Sequence, residues 1–217
     1  MSVSLLVIAK APAAGRSKTR LCPPFSLQEA ALLAEAALVD TLEAVVAAPV
    51  RGRRVLVLDG PPEAWRSTRW EVVPQHGAGL DERLANAFAD VGGPALLVGM
   101  DTPQVTAELL MTSVEALARP GVDAVLGPTL DGGYWTIGLR EPDRSVFLGV
   151  PMSTDRTLHA QRRRLGRLGI SPVDLPTLRD VDTFDDAAHV APLVPGSRFA
   201  ETFGRLVERT TALGARS

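Results

Sequence analysis

Apolar residues in this chain come in short unbroken blocks, with stretches of helical spacing between them. Val3 to Ala9 is apolar at nearly every position and partly β-branched, the pattern of a strand buried on both faces of a parallel sheet. RVLVL at 54–58 and ALLV at 95–98 repeat that pattern, and WEVV at 70–73 and DAVL at 123–126 read as further strands. Ser26 followed three residues later by Glu29 forms a capping-box signal for a helix from Leu27 to Ala48. Leu80, Leu84, Ala87, Phe88 and Val91 recur at a helical period, and Thr106 is placed to cap a helix running to Ala118. Strands alternating with helices predict a parallel α/β sheet. After residue 128 the rhythm changes. A Gly-rich turn leads into a strand at 134–139 that reads as an inserted or antiparallel piece. A helix over 153–168, a short strand over 170–175 and a terminal helix over 197–213 follow. No repeat, low-complexity tract or linker breaks the series. Residues 1–217 therefore read as a single domain: a mostly parallel Rossmann-like sheet with helices on both faces.

Composition narrows the class. The chain has 217 residues, 46% of them apolar and 22% charged, with a net charge of -2. That charge argues against a broadly basic nucleic-acid binder. One cysteine, Cys22, provides neither a disulfide framework nor a thiolate metal site. No apolar run reaches membrane-span length and no charged leader precedes the first one, so a cytoplasmic protein that meets neither membrane nor nucleic acid is expected.

Against that near-neutral background, four cations stand within eleven residues of the first strand: Lys10, Arg16, Lys18 and Arg20. Pro12 and Gly15 punctuate the loop and the residues between are small, so its backbone can approach a ligand closely. Cations at the carboxyl end of a first strand lie where α/β sheets bind nucleotides, and their matching ligand is a polyphosphate. A solvated basic loop is the competing explanation. Asp101, just past the 95–98 strand and ahead of Pro103, is placed to hold a hard cation, Mg²⁺ or Mn²⁺, against phosphates; a helix cap or turn former is the plainer alternative. In RDVDTFDD at 179–186, a helix start accounts for Asp185 and Asp186 but less well for Asp180 and Asp182. Asp182 paired with Asp101 around one or two divalent ions accounts for both. Gly132 and Gly133 leave room for a substrate ring and Asp131 can accept from sugar hydroxyls, although a plain Asp-Gly turn explains the same residues. Several motifs are absent. Ser17 rather than Gly precedes Lys18, so there is no P-loop. Gly77 and Gly79 lack a third glycine, leaving a turn whose backbone can contact a nucleobase. The three histidines have no metal-ligand spacing, and no nucleophile elbow occurs.

Six blocks in order carry a resemblance: KAPAAGRSKTRL at 10–21, HGAGLDERL at 76–84, VGMDTPQV at 98–105, GPTLDGGYWTIGL at 127–139, STDRTL at 153–158 and DVDTFDD at 180–186. With them the chain resembles the small GT-A-fold glycosyltransferase-like proteins of the nucleotide-diphospho-sugar transferase superfamily, of the arsenosugar-biosynthesis or radical-SAM-associated type. These are related to phospholactate guanylyltransferase and molybdenum-cofactor guanylyltransferase. The resemblance implies metal carboxylates at Asp101 and Asp182 and a nucleotide-phosphate loop of Lys10, Pro12, Gly15, Arg16, Lys18 and Arg20, with Lys18 acting in catalysis. It also implies base contacts at Gln75, Gly77 and Gly79 and substrate contacts at Asp131, Gly132, Gly133, Trp135 and Asp155. Met100 stands where such motifs often have Ser, and His76-Gly77 where a Gln-Gly pair is expected. The implied enzyme is a divalent-metal-dependent transferase that takes a nucleotide-activated donor and a small-molecule acceptor. Glycosyl transfer from an NDP-sugar is the first expectation. The alternative is nucleotidyl transfer, joining an NTP to a phosphorylated small molecule with release of pyrophosphate, which four cations on one loop suit. A nucleotide-binding protein without turnover, allowed by Met100, is the third.

Overall fold

The computed structural model describes residues 2–214. Seven strands form one sheet: β1 (Ser4–Lys10), β2 (Arg54–Asp59), β3 (Glu71–Pro74), β4 (Ala95–Gly99), β5 (Ala124–Pro128), β6 (Tyr134–Leu139) and β7 (Val173–Asp174). Their spatial order is β3-β2-β1-β4-β6-β5-β7. All neighbours run parallel except β6, which is antiparallel to both β4 and β5. The inserted piece expected after residue 128 is therefore a hairpin whose return strand wedges between β4 and β5. Strand order reverses at β1 and β4, and a crevice opens there at the carboxyl ends of the strands.

Among the described residues six α-helices flank the sheet, with four short 3-10 turns besides: α1 (Leu27–Ala47), α2 (Leu80–Val91), α3 (Ala107–Ala118), α4 (Thr157–Arg167), α5 (Phe184–Val190) and α6 (Arg198–Gly214). Because the central strands are apolar on both sides, each face needs a cover. Leu5, Val7 and Val98 pack under α1 and α3, whereas Leu6, Val57, Leu97 and Ile137 pack under α2 and α4. A further layer lies outside α1: Ala30, Leu33 and Ala37 meet Val190 of α5 and Phe199 and Leu206 of α6. Asp40 on α1 locks that layer by accepting from the Arg198 and Phe199 amides at the start of α6.

Two expectations need correction. The helix expected from residue 153 begins only at Thr157. Ser153 is left-handed at φ 57°, and Thr154 N–H donates to the Thr157 side chain, so these residues form a cap-like turn. The strand expected over 170–175 shrinks to Val173–Asp174, an edge strand with two residues paired to β5.

Candidate functional site

The crevice is built from backbone upward. Lys10 ends β1, and the loop after it turns back through bonds from the Arg16 and Ser17 amides to Ala13 O. Gly15 takes φ +75° in that turn, and Lys18 is left-handed at φ 51° without being glycine. Such backbone is sparsely populated and persists where its surroundings hold it. Met100, next to Asp101, uses its thioether to accept the Lys10 amide at 3.3 Å, tying β1 to β4 at the crevice floor. Val181 N–H donates to Asp101 O, which anchors the acidic segment with Asp180 on one side and Asp182 on the other. Asp186 secures the segment from behind. Its carboxylate accepts from the Thr183 amide and hydroxyl and from Arg179 Nη1, completing the capping box that starts α5.

Lys18 Nζ lies 2.8 Å from Asp101 Oδ1 and 2.8 Å from Asp182 Oδ1. Arg20 reaches Asp182 Oδ2 at 3.4 Å. Two carboxylates 81 positions apart in the chain thus meet on one ammonium from the cationic loop. Burial alone would lower the Lys18 pKa, but the charges of Asp101, Asp180 and Asp182 more than offset it and hold the ammonium firmly charged. The Asp180 carboxyl is pushed up to about 8, first by burial and then by Asp101, Asp182 and Asp131, with Lys18 opposing. The cluster is short of positive charge. Among the described residues no three acidic, histidine or cysteine side chains form a ready-made metal cage. The donors are nonetheless all oxygen, in excess over cations, and two of them converge on a point already filled by a cation. That suits a hard divalent ion that takes one or two carboxylates and completes its shell from phosphate and water.

A cavity of about 500 Å³ opens beside this cluster, lined among others by Lys10, Asp59, Gln75, Arg83, Asp101, Asp131, Gly133, Trp135 and Asp180. A separate cleft of about 300 Å³ is lined among others by Lys10, Arg16, Lys18, Arg20, Asp101 and Asp182. The two share Lys10, Met100 and Asp101. The expected residues thus divide between two spaces, with Arg16, Lys18, Arg20 and Asp182 on the cleft. Pro12, Gly15, Gly77, Gly79, Gly132 and Asp155 line neither. Gly132 serves packing, because its backbone at φ +88° approaches Asp155 O where a Cβ would stand. Gln75 lines the cavity with a largely committed amide: Nε2 donates to Ala9 O and Val57 O, and Oε1 accepts from Arg83. Trp135 is a buried wall whose indole N–H goes to Pro176 O. Asp59 and Arg83 pair across the cavity wall at 3.1 Å, a contact between β2 and α2 that the sequence does not announce even though Arg83 falls within HGAGLDERL at 76–84. Asp180 stands out in the sequence only as an acidic residue that a helix start does not explain. Asp59 offered no signal beyond ending a strand.

This geometry can be set beside known proteins. A family model described as an uncharacterized protein conserved in bacteria (DUF2064) matches residues 32–154. The chain belongs to the DUF2064 family. This DUF2064 chain is 32% identical to a 2-phospho-L-lactate guanylyltransferase of Haloarcula marismortui over 178 residues, 80% of this chain and 79% of that protein. It is also 32% identical to a phosphoenolpyruvate guanylyltransferase of Salinispora arenicola over 201 residues, 86% of this chain and 87% of that one. A solved candidate nucleotide-diphospho-sugar transferase from Desulfovibrio desulfuricans G20 superposes with a TM-score of 0.82 at 26% identity, covering 98% of this chain and 96% of its own. The expected fold, the kinship with phospholactate guanylyltransferase and the transferase class all agree with these matches. No helix of the described residues is long and apolar enough to cross a membrane.

Proposed function

We propose that this DUF2064 protein is a divalent-metal-dependent nucleotidyltransferase that joins an NTP to a phosphorylated small molecule and releases pyrophosphate. What carries the reading is the match, over most of the chain, to two guanylyltransferases. It reverses the order expected from sequence, where glycosyl transfer came first. The loop also suits a triphosphate: Lys10, Arg16, Lys18 and Arg20 gather on one side of the carboxylate cluster, and charge-assisted bonds from such groups to phosphate are strong.

In this reading Asp101 and Asp182 hold Mg²⁺ or Mn²⁺, which when bound supplies neutralising charge at the phosphates. Lys18 turns from the two carboxylates to phosphate oxygens. Arg16 and Arg20 hold the end of the triphosphate that departs as pyrophosphate, so the loop stabilises charge where it develops. The nucleoside lies in the cavity toward Gln75 and Arg83. An acceptor phosphate oxygen attacks the α-phosphorus in line, and the bond to the bridging oxygen of pyrophosphate breaks. No covalent enzyme intermediate is required.

The test is product analysis with Mg²⁺ or Mn²⁺. Pyrophosphate release from GTP or CTP that depends on a phosphorylated acceptor supports nucleotidyl transfer. NDP release from an NDP-sugar, with no pyrophosphate from any NTP, would restore glycosyl transfer. Nucleotide binding indifferent to metal and without turnover would favour a binding protein.

A further inference from the structure

Two turns carry the paired carboxylates, one after β4 with Asp101 and one ahead of α5 with Asp182. Between the turns themselves the backbone makes one bond, from Val181 N–H to Asp101 O at 2.9 Å. A single hydrogen bond between two loops is a pivot. Both acids sit beside it, so a swing about that bond changes the distance and angle between their carboxylates. Lys18 also bridges the pair, but in the reading above it turns to phosphate when nucleotide binds.

A second tie removes the freedom. Gln104 stands three residues past Asp101, and Arg179 three residues before Asp182. Gln104 Nε2 donates to Arg179 O at 3.0 Å. Both partners are themselves held. Val105 N–H donates to Thr102 O at 3.0 Å and closes the turn that contains Gln104, while Pro103 restricts its backbone. Arg179 Nη1 donates to Asp186 at 3.0 Å, at the start of α5. With two ties at separate points along the chain, each turn sets the orientation of the other.

Stability does not account for a glutamine at this joint. Among the described residues three buried side-chain polar atoms have no hydrogen-bond partner: Thr102 Oγ1, Gln104 Oε1 and Arg179 Nε. All three lie in these two turns. Burying an unpaired polar atom is unfavourable, and an apolar side chain of similar length at 104 would leave one fewer. The joint stays polar in spite of that, as functional sites do when they break a rule of good packing. Gln104 lines neither the cavity nor the cleft, so whatever it contributes passes through its neighbours.

We infer that Gln104 is a positioning residue for the metal carboxylates: its bond to Arg179 O sets the spacing and angle of Asp101 and Asp182, and thereby how tightly they hold a divalent ion. The inference rests on the assignment of that ion to Asp101 and Asp182, and not on which group is transferred. Groups behind a metal's own ligands affect affinity in this way because they aim the ligands.

The experiment follows Mn²⁺ binding by electron paramagnetic resonance, with and without GTP, in the wild-type chain, Gln104→Met and Gln104→Leu. Both substitutions keep much of the bulk and remove the donor. The Mn²⁺ Kd is expected to rise about five- to tenfold in each, the worth of one hydrogen bond, and the Mn²⁺ concentration for half-maximal turnover should rise with it. GTP affinity in EDTA should not move, because the cationic loop is untouched, and Tm should change by less than about 3 °C. Wild-type Mn²⁺ affinity in the variants overturns the inference. So does a larger loss of Tm accompanied by weaker GTP binding in EDTA, which would make Gln104 a general packing residue. A wild-type chain that binds no Mn²⁺ under either condition overturns the metal assignment and the inference with it. The expected shift in Mn²⁺ affinity without pyrophosphate release from any NTP supports the inference while overturning nucleotidyl transfer.

Discussion

Removing the Lys18 ammonium should act on two ligands in opposite directions. It lies 2.8 Å from a carboxylate oxygen on either side, in the place a divalent ion would contest. Lys18→Met is expected to weaken nucleotide binding by about 1.5–3 kcal/mol, the size of a charge-assisted hydrogen bond, while Mg²⁺ or Mn²⁺ binds more tightly to the nucleotide-free protein. Titration calorimetry checks both; weaker metal binding in the variant would show that the lysine supports the site rather than competes for it. Asp101→Asn should abolish metal-dependent turnover with little change in Tm, because a partly exposed loop carboxylate contributes little to stability. The roles of such residues were only partly legible in the sequence. The clustering of cations and the oddity of Asp182 stood out because charge runs demand an explanation. Which space each cation faces did not, since that depends on the left-handed turn at Lys18. The buried, unpaired hydroxyl of Thr102 gave no signal either, because such a feature exists only in three dimensions.

At the scale of elements, the short helix α5 aims the acidic segment. Its capping box joins Thr183 to Asp186. Burial pushes the Asp186 carboxyl up, but bonds from Thr183 and Arg179 outweigh this and leave it below the usual carboxylate range. Thr183→Ala should lower stability by about 1 kcal/mol through loss of the cap and reduce turnover more than that figure suggests, since Asp182 directly precedes the cap. Thr183→Ser should restore both in melting and steady-state assays. Turnover in the alanine variant equal to wild type would mean that Asp182 is held in place without the cap, by Lys18, Arg20 and its neighbours. Strands β1, β2 and β4 and helices α1 and α2 were readable because their apolar spacing is long and regular. The start of α4 was not: Ser153 to Arg156 has helix-compatible composition, but the Thr154 amide donates to the Thr157 hydroxyl and the backbone turns there. Strand β7 was over-extended because an apolar tail after a glycine resembles a strand even when only two residues find a partner.

For the whole molecule, the carboxylate cluster links stability to pH. The Asp180 pKa is raised from 3.8 to about 8, so the folded state holds its proton more tightly than the unfolded chain does. Its contribution is most favourable at low pH, declines as pH rises between those two values, and levels off above. In metal-free buffer Asp180→Asn should flatten that decline and raise Tm at pH 8.5 while changing it little at pH 4; equal slopes in variant and wild type would place the burden elsewhere. The layered α/β architecture was legible from alternation alone, and β6 was expected as an inserted or antiparallel piece. Its position between β4 and β5 was not, because adjacency in a sheet is fixed by partners distant in sequence.

That wedge has an evolutionary corollary. One wall of the cavity comes from a single continuous stretch, β5 through the start of α4, whereas the opposite wall and the cationic loop come from earlier segments. Exchanging residues 124–158 between relatives would swap that wall as a cassette, so under the proposed function lineages could diverge on one side of the cavity while the cationic loop stayed the same.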